Sequence, residues 1–500
     1  MIWIIFKKEI KDNLRSFRFL AGLCLALFIS IIITFILIKN YEIELKAYNE
    51  VYQEELLKQA RAVTYNHVKP FVMKAPEKLG ILAKGIDSRI GFYSKLTLDL
   101  IPYDMKRTGN DNELLELLTN IDLASIFKII ITLLALLFAF DCFSKDNRNL
   151  KLICSNKVSM QALVLGKYLA IILSVYLILF ISFIIVSMIF YFHPKLNFDS
   201  SEWLRFIFSF VIFQIYLSLF ILMAINISII SKRSANSMVL VLFFWIFLSF
   251  ILNSAVNMFI SNIYKVPDFE EVEGSIIELD MELSDKLEVL SGEHDKYFTS
   301  RYNEVVLNAK KEAMEKFKEY YHDLEKLRMK YALKKAKITA DFFNKFLLLL
   351  EKINEYSFFS PSYLLDNSLS LLSGTNYRNF FAYMEKVKAY RNEYIKYLDD
   401  KKILKSYLYF TPLKEKNFPL DDDDFYYGMK HTEKVYLDTY DNLYKYYQTI
   451  DTLDIPKFEF IYTKVKDQNL IISLNAMILI LMNLFLYFLA VLLLKKADLR

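Results

Sequence analysis

Residues able to carry out chemistry are sparse in this sequence and poorly spaced for catalysis. Gly80 and Gly85 have the separation found in a phosphate-binding loop, but Ile86 and Asp87 follow where that loop needs Lys and then Ser or Thr. Without that lysine and hydroxyl, the loop lacks the groups that hold the phosphates and magnesium of a nucleotide. The sequence therefore predicts that the chain does not hydrolyse nucleotide on its own.

Metal sites and activated nucleophiles also lack a sequence signature. The five histidines lie far apart, and no pair has the spacing that would place two ligands on one helix face. No G-x-S-x-G motif occurs, and no cysteine has a histidine near it. The acidic run Asp421 to Asp424 lacks the alternating spacing and the glycine of a calcium-binding loop. We therefore expect a non-catalytic chain that binds no metal or cofactor itself.

The composition indicates a membrane protein. Of the 500 residues, 55% are apolar, and the mean hydropathy of +0.25 lies outside the range of ordinary soluble chains. The net charge of +5 results from 62 basic and 57 acidic residues, so it does not favour nucleic-acid binding.

Six segments are apolar over a length that could cross the membrane, which takes about 20 helical residues for a hydrocarbon layer of about 30 Å. The predicted spans are residues 19–38, 123–143, 168–192, 206–231, 234–264 and 468–494. The second span is the weakest because it is short and contains Lys128, so five spans remain an alternative. The predicted fold class is an all-α membrane protein with a large helical extracytoplasmic domain.

The short flanks of these spans predict the orientation, because Lys and Arg are retained on the cytoplasmic side. Basic residues are frequent before the first span, between the second and third, between the fourth and fifth, and after the sixth. The loop from His193 to Glu202 carries only Lys195. Both termini are therefore predicted to lie in the cytoplasm.

Residues 1–18 are predicted to form an amphipathic helix in the inner membrane interface. Its apolar residues recur at spacings of three and four: Trp3, Phe6, Ile10, Leu14 and Phe17. Its basic residues fall mostly between them: Lys7, Lys8, Lys11, Arg15 and Arg18. An ordinary basic flank with accidental periodicity is the alternative.

Two loops, residues 39–122 and 265–467, are too long to be simple connectors and are predicted to be helical extracytoplasmic insertions. No proline occurs before Pro70, so the first span can continue outward through Leu56 as one helix. In the second insertion, a heptad seam from Met314 to Leu349 is interrupted by charged residues. This pattern favours a helical hairpin packed on partner helices over a two-stranded coiled coil.

Six carboxamides fall within the predicted spans: Gln214, Asn226, Asn253, Asn257, Asn475 and Asn483. Burying an unpaired polar group in hydrocarbon is unfavourable, so each one needs a partner or a function. Hydrogen bonding between helices is one interpretation, and lining a substrate path is the other.

The chain after the second span carries the most informative motif. An acidic residue, Asp141, ends the span, and Leu150, Ser155, Val158 and Ser159 precede the Gly166-Lys167 pair that opens the third span. This pattern resembles the ABC-2-type permeases, the membrane subunits of ATP-binding-cassette exporters, in the subgroup with large insertions between spans one and two and between five and six. Asn149 and Lys157 depart from the family pattern, in which Thr and Pro are common.

The resemblance implies a permease that couples separate cytosolic ATPase subunits, which bind ATP and magnesium, to export. It also implies a dimer with an identical or a sister permease. The ATPase contacts would lie on residues 1–18 and on a cytoplasmic coupling loop, residues 144–167. The implied coupling residues are Lys7, Lys8, Lys11, Arg15, Arg18, Asp146, Arg148, Leu150, Lys151, Ile153, Ser155, Val158, Ser159, Gly166 and Lys167. A basic loop lying against anionic lipid is the alternative for 144–167.

Several functional alternatives stay open at this point. The external helices could transmit force to an extracytoplasmic protein without translocation, or they could bind a ligand as part of a receptor or scaffold. A receptor predicts an internal signalling domain, and a membrane enzyme predicts clustered catalytic groups; neither is visible in the sequence. The high usage of Lys, Ile, Phe, Tyr and Asn is typical of a bacterium with an AT-rich genome, so we expect the bacterial cytoplasmic membrane.

Overall fold

The protein is seen here in a computed structural model that describes residues 2–86, 93–96, 98, 122–144, 159–231, 233–293, 298–301, 304–307, 311–410, 448–460 and 468–498. Helices dominate this part of the chain. The first six are α1 (Ile2–Arg15), α2 (Phe17–Ala60), α3 (Leu123–Ala139), α4 (Met160–Phe192), α5 (Ser200–Ile230) and α6 (Ser234–Ile246). The others are α7 (Leu252–Ile263), α8 (Phe269–Gly292), α9 (Lys311–Tyr356), α10 (Pro361–Ser373), α11 (Tyr377–Asp400) and α12 (Gln468–Asp498).

Two antiparallel pairs of short strands accompany the helices. Strand β1 (Phe71–Met73) pairs with β2 (Tyr93–Lys95), and β3 (Phe298–Arg301) pairs with β4 (Glu304–Leu307). We expected both insertions to be helical, and the chain departs from that expectation at these strands. Each has only three or four residues, too few for an alternating pattern to be readable in the sequence.

Five helical stretches of the described chain are long and apolar enough to cross a membrane: α2, α4, α5, the continuous stretch Ser234–Ile263, and Gln468–Lys496. The all-α membrane fold is confirmed. Helix α3, which occupies the predicted second span, is a shorter apolar helix. The count of six spans therefore stays a prediction.

Helix α2 continues without a break from Phe17 to Ala60, as the absence of proline predicted. Its first part lies among the spans, and its outer part packs through Tyr52 against Phe71 of β1. Side chains that accept backbone N–H groups begin the neighbouring helices: Ser16 begins α2, Asp122 begins α3, and Ser159 begins α4. These residues set where each helix begins.

Helix α5 lies at the centre of the membrane region. About two-thirds of its most apolar 18 residues are buried, whereas only 17% of the corresponding residues are buried in the stretch Ser234–Ile263. Helix α5 packs against α3, α4, α6, α10 and α12. A π-helix at Phe247–Ile251 separates α6 from α7, and nothing in the sequence predicted it. The stretch Ser234–Ile263 thus lies at the edge of the chain with most of its surface uncovered.

The second insertion contains the expected helical hairpin. Helix α8 runs antiparallel to α9, and Lys335 of α9 donates to Asp280 of α8 at 2.7 Å. Lys335 interrupts the apolar seam, and the structure gives it this acidic partner. Hydrogen bonds from Tyr331 and then Lys286 lower the pKa of Glu282 to about 2, so the hairpin holds a carboxylate at any physiological pH.

Candidate functional site

The inner end of α3 continues into a turn, Phe140–Ser144, that is held by neighbouring helices. The backbone N–H groups of Phe143 and Ser144 both donate to the hydroxyl oxygen of Ser228 on α5, at 2.9 and 3.1 Å. The Ser237 hydroxyl on α6 donates to the Phe140 carbonyl at 2.5 Å. We call this turn and its contacts the inner junction; it leads directly into residues 145–158.

Arg18 connects the start of α2 to the inner junction. Its guanidinium donates to both carboxylate oxygens of Asp141, at 3.2 and 3.0 Å, and to the Leu137 carbonyl at 3.1 Å. Asp141 is the acidic residue that ends the second predicted span. The two parallel hydrogen bonds fix the orientation of α2 relative to α3. They add little stability, because the Arg18 side chain is half exposed and water screens the pair.

Lys167 connects α1, α4 and the inner junction. Its ammonium donates to the Cys142 carbonyl at 2.6 Å, lies 3.5 Å from the Glu9 carboxylate, and sits 5.0 Å from the centre of the Phe143 ring. The residue is only 4% exposed. Lys167 therefore positions α1 and the turn, and it does not form part of the exposed surface of the protein.

Gly166 allows α1 to approach α4 closely. A Cβ atom at this position would lie 2.9 Å from the Ile5 Cγ2 atom and 3.3 Å from the Ile2 carbonyl. The Gly-Lys pair thus combines a close helix contact with a buried ion pair. Sequence reasoning assigned both residues to ATPase coupling, and the structure places them beneath α1.

The exposed face of α1 carries most of the predicted basic residues. Lys7, Lys8, Lys11 and Arg15 are all exposed, as is Arg18. Trp3 is 63% exposed and stacks on Phe6 with ring centres 5.0 Å apart. Ile5 and Glu9 face α4, so the basic residues and the aromatic pair lie on the face of α1 that points away from the protein. Cations mixed with aromatic rings are suited to lipid headgroups or to an acidic protein surface.

The coupling loop is described only at its ends. Ser144 belongs to the inner junction, and the Ser159 hydroxyl accepts the Ala162 N–H to begin α4. The other predicted coupling residues of the loop lie outside the described residues: Asp146, Arg148, Leu150, Lys151, Ile153, Ser155 and Val158.

Three of the predicted intramembrane carboxamides bond between helices. Asn483 of α12 donates to the Ile215 carbonyl of α5 at 3.1 Å and accepts from Ser218 at 2.6 Å. Asn226 of α5 donates to the Leu486 carbonyl of α12 at 2.9 Å. Asn475 of α12 donates to Ser368 of α10 at 3.1 Å. For these three residues the geometry shows hydrogen bonding between helices, the first of the two interpretations.

The other three carboxamides have no such bond. Gln214 is half-buried, and only its backbone carbonyl accepts a hydrogen bond, from Tyr176. Asn253 is half-buried, and its Oδ1 has no partner. Asn257 is exposed on α7. Asn257 therefore presents a carboxamide on the uncovered side of the stretch Ser234–Ile263, whereas the Asn253 Oδ1 atom is buried.

At the opposite ends of the predicted spans, the second insertion places α10 against α3, α5 and α12. The Ser360 hydroxyl accepts the Tyr363 N–H, Pro361 occupies the first turn, and Gly374 ends the helix in the left-handed conformation with φ of 80°. These start and stop signals were visible in the sequence. Ten of the thirteen residues of α10 are buried, so it packs as a core element.

Polar side chains of the spans fix α10 in place. Gln468 donates to the Leu371 carbonyl, Arg205 donates to the Leu372 carbonyl at 3.2 Å, and Lys128 donates to Asp366 at 2.7 and 2.9 Å. These residues come from α12, α5 and α3 respectively. We call α10 with these contacts the outer junction, because it joins three membrane helices to the external insertion.

The chain after α10 also docks on the first insertion. The Thr375 hydroxyl donates to the Ala83 carbonyl at 2.7 Å, and the Ile86 N–H donates to the Thr375 carbonyl at 3.0 Å. Gly85 has φ of 51°, and a Cβ there would lie 2.3 Å from the Thr375 oxygen. The glycine spacing considered for a phosphate loop thus serves a close backbone contact between the two insertions.

Above the outer junction the two insertions form a shared external body. The buried Arg391 of α11 donates to the Leu98 carbonyl at 2.7 Å, and the Tyr390 hydroxyl donates to the Pro456 carbonyl at 2.9 Å. The Ile450 N–H donates to the Ala62 carbonyl at 3.0 Å. Segments far apart in sequence are therefore bonded together beside α10.

Comparison with known proteins agrees with this architecture. The profile of the ABC-2 family transporter proteins matches residues 3–314, from α1 through the predicted first five spans and into the second insertion. No curated protein and no solved structure matches the chain. The fold and the match define a multi-pass membrane transport protein. This chain belongs to the ABC-2 transporter family, as a permease subunit of the kind that pairs with an ABC ATPase.

Proposed function

We propose that this permease couples ATP hydrolysis on separate cytosolic ATPase subunits, which carry the ATP and magnesium, to export of a substrate from a bacterial cell. In this proposal α3 is the second of six spans, both termini lie in the cytoplasm, and both insertions lie outside. The biased distribution of Lys and Arg in the short flanks supports this orientation.

The observation that carries the coupling proposal is the inner junction. The turn Phe140–Ser144 lies directly before residues 145–158 and contacts α5 and α6, while Arg18 and Lys167 connect it to α2, α1 and α4. A push on the coupling loop therefore reaches the inner ends of five further helices. A loop that only lay against lipid would need no such connections.

The ATPase surface that we propose combines the exposed face of α1 with the coupling loop. Lys7, Lys8, Lys11 and Arg15 give α1 a dense positive charge, which favours an acidic cleft on the partner. Lys167 and Gly166 hold this helix rigidly at the inner junction. Movement of the ATPase would thus displace α1 and the turn together.

The dimer contact that we propose lies along the stretch Ser234–Ile263. Only 17% of its most apolar 18 residues are buried by its own chain. Asn257 lies on its uncovered surface, and lipid offers neither a hydrogen-bond donor nor an acceptor at depth. A second permease can supply both, as carboxamides do between membrane helices.

A second candidate function, force transmission to an extracytoplasmic protein partner, is favoured by the outer junction. Helix α10 bonds to α3, α5 and α12, and Thr375 bonds to the first insertion. Displacement of the spans would therefore move the external body whether or not a substrate crosses. In both functions the outer junction carries motion outward.

Charge reversal on α1 tests the docking assignment. The triple variant Lys7→Glu, Lys8→Glu, Lys11→Glu is purified by a tag in mild detergent. It should recover less than about a tenth of the ATPase recovered with the wild type, because three cations that face the proposed acidic cleft become anions. Lys46→Glu, an exposed external lysine of α2, is the matched control and should recover it fully. Undiminished recovery with the triple variant would contradict docking through α1.

A further inference from the structure

The two helices of the α8–α9 hairpin carry opposite charges. From Glu270 to Asp285 every charged residue of α8 is acidic, and from Lys326 to Lys337 every charged residue of α9 is basic. The hairpin therefore presents an acidic helix and a basic helix side by side.

One side of this hairpin is uncovered. The Lys334 ammonium of α9 lies 3.6 Å from the Glu282 carboxylate of α8, and these side chains are 42% and 45% exposed. A different side of α9 packs on its own chain, where Tyr321 stacks on Phe410 with ring centres 4.8 Å apart. We call the uncovered side, which carries Lys334 and Glu282, the charged face.

Two acids and two lysines extend the charged face by one turn in each direction. Glu278 and Asp285 lie four residues before and three residues after the acid of that pair, and Lys330 and Lys337 lie four before and three after its lysine. Residues three or four apart share one face of a helix, so the acids form a column on α8 and the lysines a column on α9. All four are exposed, and none forms an ion pair within the part of the chain that the structure describes.

The two columns are in register. The hydrogen bond from Lys335 to Asp280 places these two residues at the same height along the hairpin. Because α8 and α9 run antiparallel, a step forward on one helix matches a step back on the other. In this register Glu278 lies level with Lys337 of α9, and Asp285 lies level with Lys330.

A second copy of the chain fits this arrangement. A two-fold axis along the hairpin keeps every residue at its height and places the α8 column of one copy opposite the α9 column of the other. Each acid then faces a lysine at both symmetry-related contacts, as a closed two-fold interface requires. A partner with charges of one sign would match only one of the two columns.

The charged face also adjoins the dimer surface proposed above. Only residues 264–268 separate the stretch Ser234–Ile263 from α8, and α9 packs against α7. The uncovered apolar side chains of that stretch supply area for association. Exposed ion pairs add little affinity, but their arrangement decides which partner is accepted.

We propose that the charged face binds the charged face of a second, identical chain and so selects a copy of itself over a sister permease. This proposal rests on the dimer of the proposed function and deepens it by naming the partner. Glu278 and Asp285 of each copy face Lys337 and Lys330 of the other.

Exchange of the charges between two copies tests this contact. Two differently tagged full-length chains are expressed together, and one is recovered through the tag of the other. The first variant carries Lys330→Glu with Lys337→Glu, and the second carries Glu278→Lys with Asp285→Lys. Each variant should recover a copy of itself at least about tenfold less than the wild type does, because like charges meet at every contact. The two variants together should recover each other to within about twofold of the wild type, because opposite charges face again.

The matched control is Lys39→Glu with Lys46→Glu, at two lysines of α2 whose side chains are 71% and 77% exposed. This variant should recover a copy of itself as the wild type does. Yield and size-exclusion profile report the folding of each variant.

Cysteine cross-linking tests the same contact if a charge variant does not fold. Cys24, Cys142 and Cys154 are first replaced by Ala, and one copy then carries Asp285→Cys and the other Lys330→Cys. Oxidation in native membranes should link these two copies at least about tenfold more than copies with Asp285→Cys and Lys46→Cys, because a disulfide forms only between closely placed Cβ atoms.

Each remaining result contradicts a stated point. Equal recovery in every charge combination, or no cross-link above the control, would overturn the charged face and leave the dimer surface at Ser234–Ile263 standing. Weak recovery without rescue in the mixture would show that the charges act within one chain, and would overturn the contact as well. Failure of wild-type copies to recover each other would overturn the identical partner, whereas ATPase recovery through α1 decides the proposed coupling separately.

Discussion

The inner and outer junctions connect the same membrane helices at opposite ends but by different kinds of contact. At the inner junction, a five-residue turn is held by serine hydroxyls, by Arg18 and by Lys167. At the outer junction, an entire helix from a distant insertion is buried between spans, and the chain just after it makes a close backbone contact with Gly85. The inner junction is thus a short turn held by side chains, whereas the outer junction is a buried helix.

This difference suggests a division of roles within the permease. The inner junction is suited to accept a displacement from the ATPase, because one short turn there is bonded to several helices. The outer junction is suited to carry that displacement into the external body without loss. Variants that damage one junction and leave the other intact sharpen this contrast, and their effects should differ in size.

The largest effect is expected beside the outer junction, where Gly85 contacts Thr375. Gly85→Ala places a Cβ 2.3 Å from the Thr375 oxygen in a left-handed conformation, and should destabilise the chain by about 3 kcal/mol or more. Thermal unfolding in detergent measures the loss. Gly80→Ala is the control, since its nearest neighbour would be an ordinary 3.9 Å away. Equal melting temperatures for the two variants would contradict the close contact.

At the inner junction, Lys167→Met should cost about 2 to 4 kcal/mol, because it leaves Glu9 and the Cys142 carbonyl without their buried cation. In the complex, we expect ATP hydrolysis to become independent of the permease while ATPase binding persists. Lys39→Met, at a lysine whose side chain is 71% exposed, should change neither property. Loss of ATPase binding without loss of stability would place Lys167 on the docking surface instead.

A smaller effect separates the two groups of carboxamides. Asn483→Leu removes the carboxamide that accepts from Ser218 and donates to the Ile215 carbonyl, while the Ser218 hydroxyl keeps its contact with the Tyr168 hydroxyl. The variant should therefore destabilise the chain by about 0.6 to 1.7 kcal/mol. Asn257→Leu should leave stability unchanged but shift the permease from dimer to monomer in size-exclusion chromatography with light scattering. If Asn257→Leu stays dimeric, the proposed dimer surface is wrong.

The smallest effect is expected for Arg18→Gln. The pair with Asp141 is half exposed on the Arg18 side, so its removal should cost less than about 1 kcal/mol. The loss should shrink further at high salt, because exposed charges are screened over about 8 to 10 Å at moderate ionic strength. A large, salt-insensitive loss would show that Asp141 is more deeply sealed in the membrane than the geometry indicates.

Much of the architecture could be predicted from local patterns. Unbroken apolar runs predicted the long membrane helices, the lack of proline predicted the continuity of α2, and the heptad seam predicted a hairpin built on α9. Each of these features depends on residues within a few turns of one another. Periodicity and helix-breaking residues report such features directly.

The junctions could not be predicted, because their contacts join residues that are far apart in sequence. Lys128 and Asp366 are separated by 238 positions, and no local pattern reports their pairing. Lys128 counted only against a membrane span, and Asp366 carried no signal at all. Lys167 was assigned to the docking surface by family resemblance, whereas its burial depends on α1 folding back over α4.

The central claim is that the two junctions move together during the ATP cycle. Hydrogen–deuterium exchange of the purified complex, with and without ATP and vanadate, measures both ends in one experiment. The account predicts that exchange changes by a similar factor in residues 140–144 and in residues 361–376, while the α8–α9 hairpin near Asp280 and Lys335 stays constant. A change confined to the inner junction, with exchange at α10 unaltered, would contradict it.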